Sequence, residues 1–165
     1  MRLRASWRPP WWSAALTAAV MLAGACTGGS SGGTALVAAE AAARGQVSGW
    51  SGTFADILKT APSGARAVAD MTATATADGI GSSTRTYLTA SSAEPGAGAA
   101  SVTLSVYGLG EGAQGGDSFH QAWVVLCVQL LGRVSPDDPG VSVSQVSCPA
   151  TAPPGAPAAE RTLAP

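Results

Sequence analysis

The sequence predicts an α+β fold in which one or two N-terminal helices pack on an antiparallel sheet of about four strands. Three observations support this prediction. Residues 34–46 are rich in alanine, which has the highest helix propensity. Residues 101–106 alternate between hydroxylated and apolar side chains, the pattern of a strand with one buried face. Residues 122–134 contain four valines and are followed by the turn-forming sequence SPDDPG, which indicates a hairpin.

The first 25 residues have the organisation of a secretory signal peptide. Residues 1–10 carry three arginines and no acidic residue, and residues 11–25 carry no charge. A helix over these last 15 residues would reach about 22 Å, whereas the hydrocarbon core of a membrane is about 30 Å thick. We therefore predict a signal peptide at residues 1–25 rather than a membrane-spanning helix.

Small residues occupy positions 23–25, Cys26 follows at once, and the sequence TGGSSGG comes next. This arrangement, over residues 1–33, resembles bacterial lipoprotein precursors. The resemblance implies that Cys26 is acylated on its sulfur and becomes the first residue of the mature protein. Residues 26–33 would then form a flexible Gly/Ser tether to the extracytoplasmic face of the cell membrane. The alternative is an ordinary signal peptide cleaved at the same bond, which would release a secreted protein with a free Cys26.

The amino-acid composition also points to a bacterial protein. The chain has no asparagine and a single lysine, Lys59, while alanine and glycine are abundant. The depleted residue types have AT-rich codons, so a GC-rich bacterial genome is the simplest origin. In composition the chain is similar to short predicted lipoproteins of actinobacteria.

The mature chain is predicted to form one domain with a disordered tail. Cleavage after residue 25 leaves 140 residues, of which 34–150 would fold, while 151–165 contain four prolines and little to bury. The mature chain has six basic and ten acidic residues, a formal net charge of about −4. Because the basic residues are scattered singly, no nucleic-acid partner is predicted.

Both helices are predicted at the start of the domain. A first short helix begins near Thr34 and ends at Gly45, and a second covers residues 52–64, where Pro62 ends it. Residues 66–78 alternate between small and hydroxylated side chains, which favours an extended chain. Since alanine and threonine alone bury little apolar surface, helix and strand both remain open for this segment.

The four strands are predicted over residues 84–90, 101–108, 122–134 and 141–148. A helix is the alternative for 122–134, because Trp123, Leu126 and Leu130 would form a stripe at helical spacing. The valines and the turn that follows favour the strand.

We predict a disulfide between Cys127 and Cys148 on opposite strands of the last hairpin. In that register Val134 faces Val141, and the six residues SPDDPG form the loop. The cysteines lie on the face opposite the core, and closing the loop stabilises the fold by roughly 3 kcal/mol in the chain-entropy model. The alternatives are two buried free thiols or a pairing that involves Cys26.

A glycine-rich motif invites a nucleotide-binding interpretation. Residues 110–115, GEGAQG, match the dinucleotide-binding pattern G-x-G-x-x-G, and Asp137 lies 27 residues after Gly110. However, Glu111 would put a negative charge into the phosphate cradle, and GDSFHQ is a poor beginning for a helix. We therefore predict a flexible loop and no cofactor.

His120 is the only histidine, so a Ser-His or Cys-His mechanism would have to use it. Its neighbours Phe119 and Trp123 favour a surface or half-packed side chain. A single histidine cannot form a structural zinc centre with these cysteines, and Asp137 and Asp138 lack the spacing of a calcium loop. No metal site is predicted, and the two aspartates are interpreted as turn residues.

A pair of facing carboxylates is the remaining route to hydrolysis. No spacing selects a pair among the acidic residues of the domain, which include Asp56, Asp70, Asp78, Glu94, Glu111 and Asp117. Trp50, flanked by glycine and serine, is a candidate ligand platform, for instance for a sugar ring. The alternative, which we favour, is that Trp50 covers the edge of a small core.

The sequence therefore predicts a lipid-anchored extracytoplasmic domain that binds a partner or serves as an accessory in a complex of the cell envelope, without catalysis. Its partners would be the membrane, through the lipid on Cys26, and an envelope protein or a cell-wall component. The alternative from a different class is a small cell-envelope hydrolase that uses His120 or a pair of carboxylates.

Overall fold

Five strands form one sheet, and both helices pack on the same face of it, which confirms the predicted α+β fold. The computed structural model describes residues 31–78, 83–94, 98–113 and 119–164. In chain order the elements are α1 (Ser31–Thr60), α2 (Gly64–Asp78), β1 (Thr84–Ala93), β2 (Ala99–Ala113), β3 (Phe119–Arg133), β4 (Ser142–Gln145) and β5 (Arg161–Thr162). The predicted signal peptide and Cys26 lie outside the described residues, while residues 31–33 of the predicted tether belong to α1.

The sheet places β4 and β5 end to end along one side of β3. Strands β1 to β4 are antiparallel neighbours in chain order. Strand β5 runs parallel to β3 and pairs with Val124 and Val125, whereas β4 pairs with residues 128–131 of β3. A bulge between Leu88 and Ala90 interrupts the pairing of β1 with β2. The sheet therefore has β1 at one edge and the two short strands at the other.

Helix α1 continues to Thr60. The sequence-based prediction that it ends at Gly45 is therefore wrong. Gly45 and Gly49 lie on its exposed side, and a glycine inside a helix costs only about 1 kcal/mol relative to alanine. The buried side is continuous and consists of Ala35, Ala39, Ala43, Val47, Trp50, Phe54 and Leu58. Burial of this long stripe outweighs the cost of the glycines, so the two predicted short helices are one.

Residues 66–78 are helical, so the extended conformation favoured by their alternation is wrong. Helix α2 buries Ala67, Met71 and Ala75 at four-residue spacing. Each threonine hydroxyl in its middle donates to the carbonyl oxygen four residues earlier. These bonds join Thr72 to Val68 at 2.8 Å, Thr74 to Asp70 at 2.9 Å and Thr76 to Thr72 at 2.9 Å. The helix thus satisfies the hydroxyl groups that suggested a strand.

The main core fills the space between the helices and the sheet. Its largest buried side chains include Phe54, Leu58 and Met71. At the N-terminal half of α1 the helix comes closer to the sheet, because Gly108 and Gly110 of β2 lie directly beneath its alanines. A Cβ at either glycine would overlap backbone atoms of α1. The helix therefore packs on bare backbone at this end.

The β3–β4 hairpin differs in register from the prediction by two residues. Val143 faces Leu130, and the Arg133 N–H donates to the Pro139 carbonyl at 2.9 Å, so the loop is tighter than the six residues SPDDPG. The Pro139 nitrogen cannot donate, but its carbonyl accepts this bond, and Gly140 turns the chain with a φ of 57°. Because a shift of two residues leaves every side chain on its own face, the predicted core side is unchanged.

Residues 146–160, which we call the C-terminal strap, cross the face of the sheet that carries no helix. The Tyr87 hydroxyl donates to the Gly155 carbonyl at 2.8 Å and holds the strap over β1. After the strap, β5 returns to β3, and Leu163 enters the main core with 7% of its surface exposed. The predicted disordered tail over 151–165 is therefore wrong for the described residues, because strand pairing and the burial of Leu163 hold the chain in place.

Candidate functional site

The two helices leave part of the sheet uncovered on their own side. Helix α1 packs on β2 and β3, and α2 packs mainly on β1. A helix with its side chains is about 10 Å wide and neighbouring strands are about 4.8 Å apart, so each helix covers about two strands. The surface of β4 beside α1 therefore stays open.

A groove of about 480 Å³ runs between α1 and this open surface, and we call it the α1–β4 groove. Its floor is apolar and its rim is polar. The floor consists of Val47, Leu126, Val128 and Val143, and the rim of Arg44, Ser48, Ser51 and Gln145. The volume lies within the range of roughly 300–1,000 Å³ that is typical of ligand sites. Val143, 45% exposed, is available to a bound molecule.

One end of the groove carries linked ion pairs. Arg44 Nη2 lies 2.8 Å from Glu40 Oε1, and Arg161 Nη2 lies 2.9 Å from Glu40 Oε2. One carboxylate thus faces two guanidinium groups, which leaves a net positive charge beside the groove. Such partly exposed pairs contribute little to stability. Their effect is to favour a ligand that presents a carbonyl or carboxylate oxygen to Arg44.

The outer edge of β4 is open to a further strand. Strand β4 pairs with β3 on one side, and none of the described residues form a strand on its other side. Gln145 Nε2 donates to the carbonyl oxygens of Leu163 and Ala164, at 3.1 and 2.5 Å, and thereby joins the ends of β4 and β5. A strand edge with unpaired N–H and C=O groups is a template for pairing with another chain.

The predicted disulfide is present and lies on the opposite face of the sheet. The sulfur atoms of Cys127 and Cys148 are bonded, and their Cα atoms are 5.2 Å apart. Cys127 is completely buried in a second apolar cluster with Tyr107 and Val125, which the C-terminal strap covers. The cysteines therefore lie on the face away from the main core, as predicted, and the strap shields Cys127 from solvent.

Trp50 lies inside the main core and offers no platform to a ligand. Only 4% of its surface is exposed, and its Nε1 donates to the Thr86 hydroxyl of β1 at 2.8 Å. The ring packs between α1 and the sheet while the hydrogen bond satisfies its N–H group. The candidate role of Trp50 in ligand contact is not supported by this position.

His120 lies near the start of β3 and contacts the C-terminal strap. Its Nε2 is 3.4 Å from Glu160 Oε1, and both side chains are partly exposed. Within the described part of the chain, no serine or cysteine side chain hydrogen-bonds to His120. The arrangement links the strap to the sheet and does not resemble an activated nucleophile.

The glycine-rich motif begins as strand rather than loop. Gly110 faces Ala122 and Gly112 faces His120 in the β2–β3 ladder, while residues 114–118 lie outside the described part. The prediction of a loop is therefore wrong for residues 110–113. The physical reason is that Gly110 allows α1 to approach the sheet. The nucleotide-binding pattern instead assigns its glycines to a phosphate-binding turn.

Asp56 and Asp70 form ion pairs with basic residues of their own helices. Asp56 Oδ1 lies 3.1 Å from Lys59 Nζ, and Asp70 Oδ1 lies 2.9 Å from Arg66 Nε. Asp138 accepts a hydrogen bond from the Gly140 N–H at 2.9 Å, as a turn residue does. Among the described residues, no group of three or more histidine, cysteine, aspartate or glutamate side chains is placed to hold a metal ion.

No pattern in the sequence predicts the α1–β4 groove. The one available signal is the spacing of Arg44, Ser48 and Ser51, which recur near Val47 along one side of the helix. A polar side of a helix is normally solvated, so this spacing alone does not indicate a groove. The position of β4 relative to α1 is needed to recognise it.

Fold and groove together define a disulfide-linked α+β domain with two helices packed on one face of the sheet and a groove beside the open edge of β4. None of the protein families, curated proteins or solved structures with which the chain was compared matches it. Among the described helices, none combines the length and the hydropathy that crossing a membrane requires.

Proposed function

We propose that this chain is a lipid-anchored, extracytoplasmic and non-catalytic domain whose α1–β4 groove binds an extended segment of another cell-envelope protein. The observation that carries the proposal is the position of the groove beside the open edge of β4. A segment that adds to this edge makes main-chain hydrogen bonds with β4, and alternate side chains enter the groove.

The groove lining defines the chemistry of the segment. Val47, Leu126 and Val128 form a floor for one or two aliphatic or aromatic side chains. Arg44 and Ser48 on the rim supply donors for a carbonyl or carboxylate oxygen of the same segment. The partner is therefore an extended peptide with an apolar anchor and an acidic or polar neighbour.

The compartment rests on two further observations. A disulfide that lies within the fold suits an oxidising environment, which the outside of the bacterial membrane provides. The basic and apolar leader that precedes Cys26 supports export and anchoring. The alternative function, a hydrolase based on His120 or paired carboxylates, has less support because His120 contacts Glu160 and the described carboxylates Asp56 and Asp70 pair with basic side chains.

Replacing Val143 by glutamate should abolish binding of the partner segment, because a charge would enter the apolar floor beside Leu126 and Val128. Val143 is 45% exposed, so the fold should tolerate the change. A photo-crosslinking residue at Ser51, on the rim of the groove, reports the partner. The yield of its adduct on native membranes should fall at least tenfold in V143E.

The matched control is Val37→Glu, which adds the same charge to an apolar residue, 67% exposed, on the outer side of α1. It should leave the adduct yield unchanged. Equal yields from V143E and V37E would show that the groove does not bind the partner.

Replacing Cys26 by serine should move the protein from the membrane fraction to the soluble fraction, because serine cannot form the thioether to the lipid. A single acyl chain gives only marginal membrane attachment, so stable anchoring implies two or more chains. Membrane fractionation with immunodetection measures the effect, and Thr27→Ser is the control that should remain in the membrane. An unmodified N-terminal Cys26 in the mass spectrum of the native protein would disprove the anchor.

A further inference from the structure

Phe119 is the most exposed of the large apolar side chains that the structure describes, with 73% of its surface open to solvent. It is the first residue of β3 and pairs with Ala113, the last residue of β2. The paired ends of these two strands therefore carry an aromatic ring that packs in neither apolar cluster of the domain. The ring is available to a surface outside the domain.

Helix α1 begins at the same end of the domain as Phe119. Gly110 lies beneath the turn of α1 that begins at Ala35, and Gly108 lies beneath the turn that begins at Ala39. Two residues of strand rise about 7 Å and four residues of helix rise about 6 Å, so α1 and β2 run in opposite directions at matching heights. The last residues of β2 are therefore level with the first turn of α1.

The short connection to Cys26 determines which end of the domain is nearest to the anchor. Ser31, the first residue of α1, is the fifth residue after Cys26. Five extended residues span at most about 18 Å, so a lipid on Cys26 keeps the start of α1 within this distance of its attachment point. The other end of β3 is farther away, because the rise from Phe119 to Leu131 is about 40 Å. The end that carries Phe119 is thus the end nearest to the membrane.

The charges near Phe119 restrict the kind of lipid contact that this end can make. Glu111 is exposed on the neighbouring strand and accepts a hydrogen bond from Gln121 at 2.7 Å. The nearest described arginines of the sheet, Arg85 and Arg161, lie level with positions at least five residues further along β3, a rise of about 16 Å. Attraction to anionic headgroups therefore does not hold this end at a membrane. The contact depends on the apolar ring, which suits the boundary between headgroups and acyl chains.

We propose that Phe119 inserts into the lipid surface to which Cys26 anchors the chain, so that the paired ends of β2 and β3 face the bilayer. This inference rests on the lipid anchor of the proposed function and adds the orientation of the domain. One ring is sufficient because the anchor already holds it near the surface at a high effective concentration. The α1–β4 groove, which α1 lines from Arg44 to Ser51, then lies about 20–30 Å beyond the start of the helix. The domain thus presents the groove to a partner segment at that height.

The test places a photo-crosslinking phenylalanine derivative at either of two positions of the mature chain. Position 119 is the proposed contact. Position 131 is the matched control, because Leu131 is also exposed and apolar and lies on the same face of β3. The disulfide leaves Cys26 as the one free thiol, so each protein is coupled through Cys26 to phosphatidylcholine vesicles that contain a maleimide lipid. Mass spectrometry after illumination measures the yield of lipid adducts and shows whether the bond is to an acyl chain or a headgroup.

We expect at least fivefold more lipid adduct from position 119 than from position 131, with the bond to an acyl chain and with the same yield at low and high salt. Equal yields from the two positions, or adducts to headgroups alone, would overturn the proposed orientation. Either result would leave the lipid anchor intact, because the coupling to Cys26 is made chemically and the native anchor is tested separately by membrane fractionation of C26S. An unmodified Cys26 in the native protein would overturn both the anchor and the orientation.

Discussion

Replacing both Cys127 and Cys148 by alanine should lower the free energy of unfolding by about 3 kcal/mol. The disulfide joins residues 21 positions apart, and in the chain-entropy model a loop of this length restricts the unfolded chain by about that amount. Marginal stabilities of about 5–15 kcal/mol are usual for domains, so the loss is a large share of the total. Urea unfolding followed by circular dichroism measures it.

The same experiment has a local readout at the strap. The Val146 N–H donates to the Cys127 carbonyl and the Leu163 N–H donates to the Val125 carbonyl, each at 2.9 Å. Without the disulfide these two amides should exchange with solvent faster, while amides of α1 should follow the global stability alone. Wild-type protein with a reducing agent is the control and should match the double variant. An unchanged urea midpoint on reduction would show that the disulfide does not stabilise the fold.

Replacing Gly110 by alanine should destabilise the protein by about 3 kcal/mol or more. The new Cβ would overlap the carbonyl oxygen of Ala35 and the amide nitrogen of Ala39. Both are backbone atoms of α1, so no side-chain rotation relieves the overlap, and the helix has to move away from the sheet. Overpacking typically costs about 1–3 kcal/mol, and contacts with backbone belong to the upper end of this range.

Gly45→Ala is the matched control, because it makes the same chemical change in the opposite structural situation. A Cβ at Gly45 meets no atom within 4 Å, and the residue lies on the exposed side of α1. Alanine there should stabilise the protein by about 0.4–1 kcal/mol through its helix propensity and the lower entropy of the unfolded chain. Thermal unfolding of G110A and G45A should therefore shift in opposite directions. A G110A protein as stable as wild type would show that α1 does not pack closely on β2.

The strands were predictable because their signals are local. Alternation along β2, the valines of β3 and the turn after β3 depend on neighbouring residues only, and they indicate both the strands and the hairpin. The hairpin in turn places Cys127 near Cys148. This conclusion holds even though the true register is shifted by two residues, since such a shift preserves the faces.

The helices were harder to predict because small residues carry ambiguous signals. The threonines of α2 suit a strand by alternation, but their hydroxyls bond within the helix and Met71 supplies the buried anchor. Glycine ends many helices. Gly45 does not end α1, because the burial of Trp50, Phe54 and other residues beyond it extends the helix. In both cases the deciding energy comes from contacts with the sheet, which lies far away in the sequence.

The candidate site shows the same difference between local sequence signals and contacts of distant elements. Local patterns were enough to predict the α+β class, the four main strands and the cysteine pair, and they support the expectation of export and lipid attachment at Cys26. Tertiary packing was needed to show that Trp50 lies in the core, that the α1–β4 groove stays open and that the strap covers the cluster around Tyr107. Periodicity and turn chemistry act between residues that are close in sequence, whereas grooves and cavities form where elements distant in sequence meet.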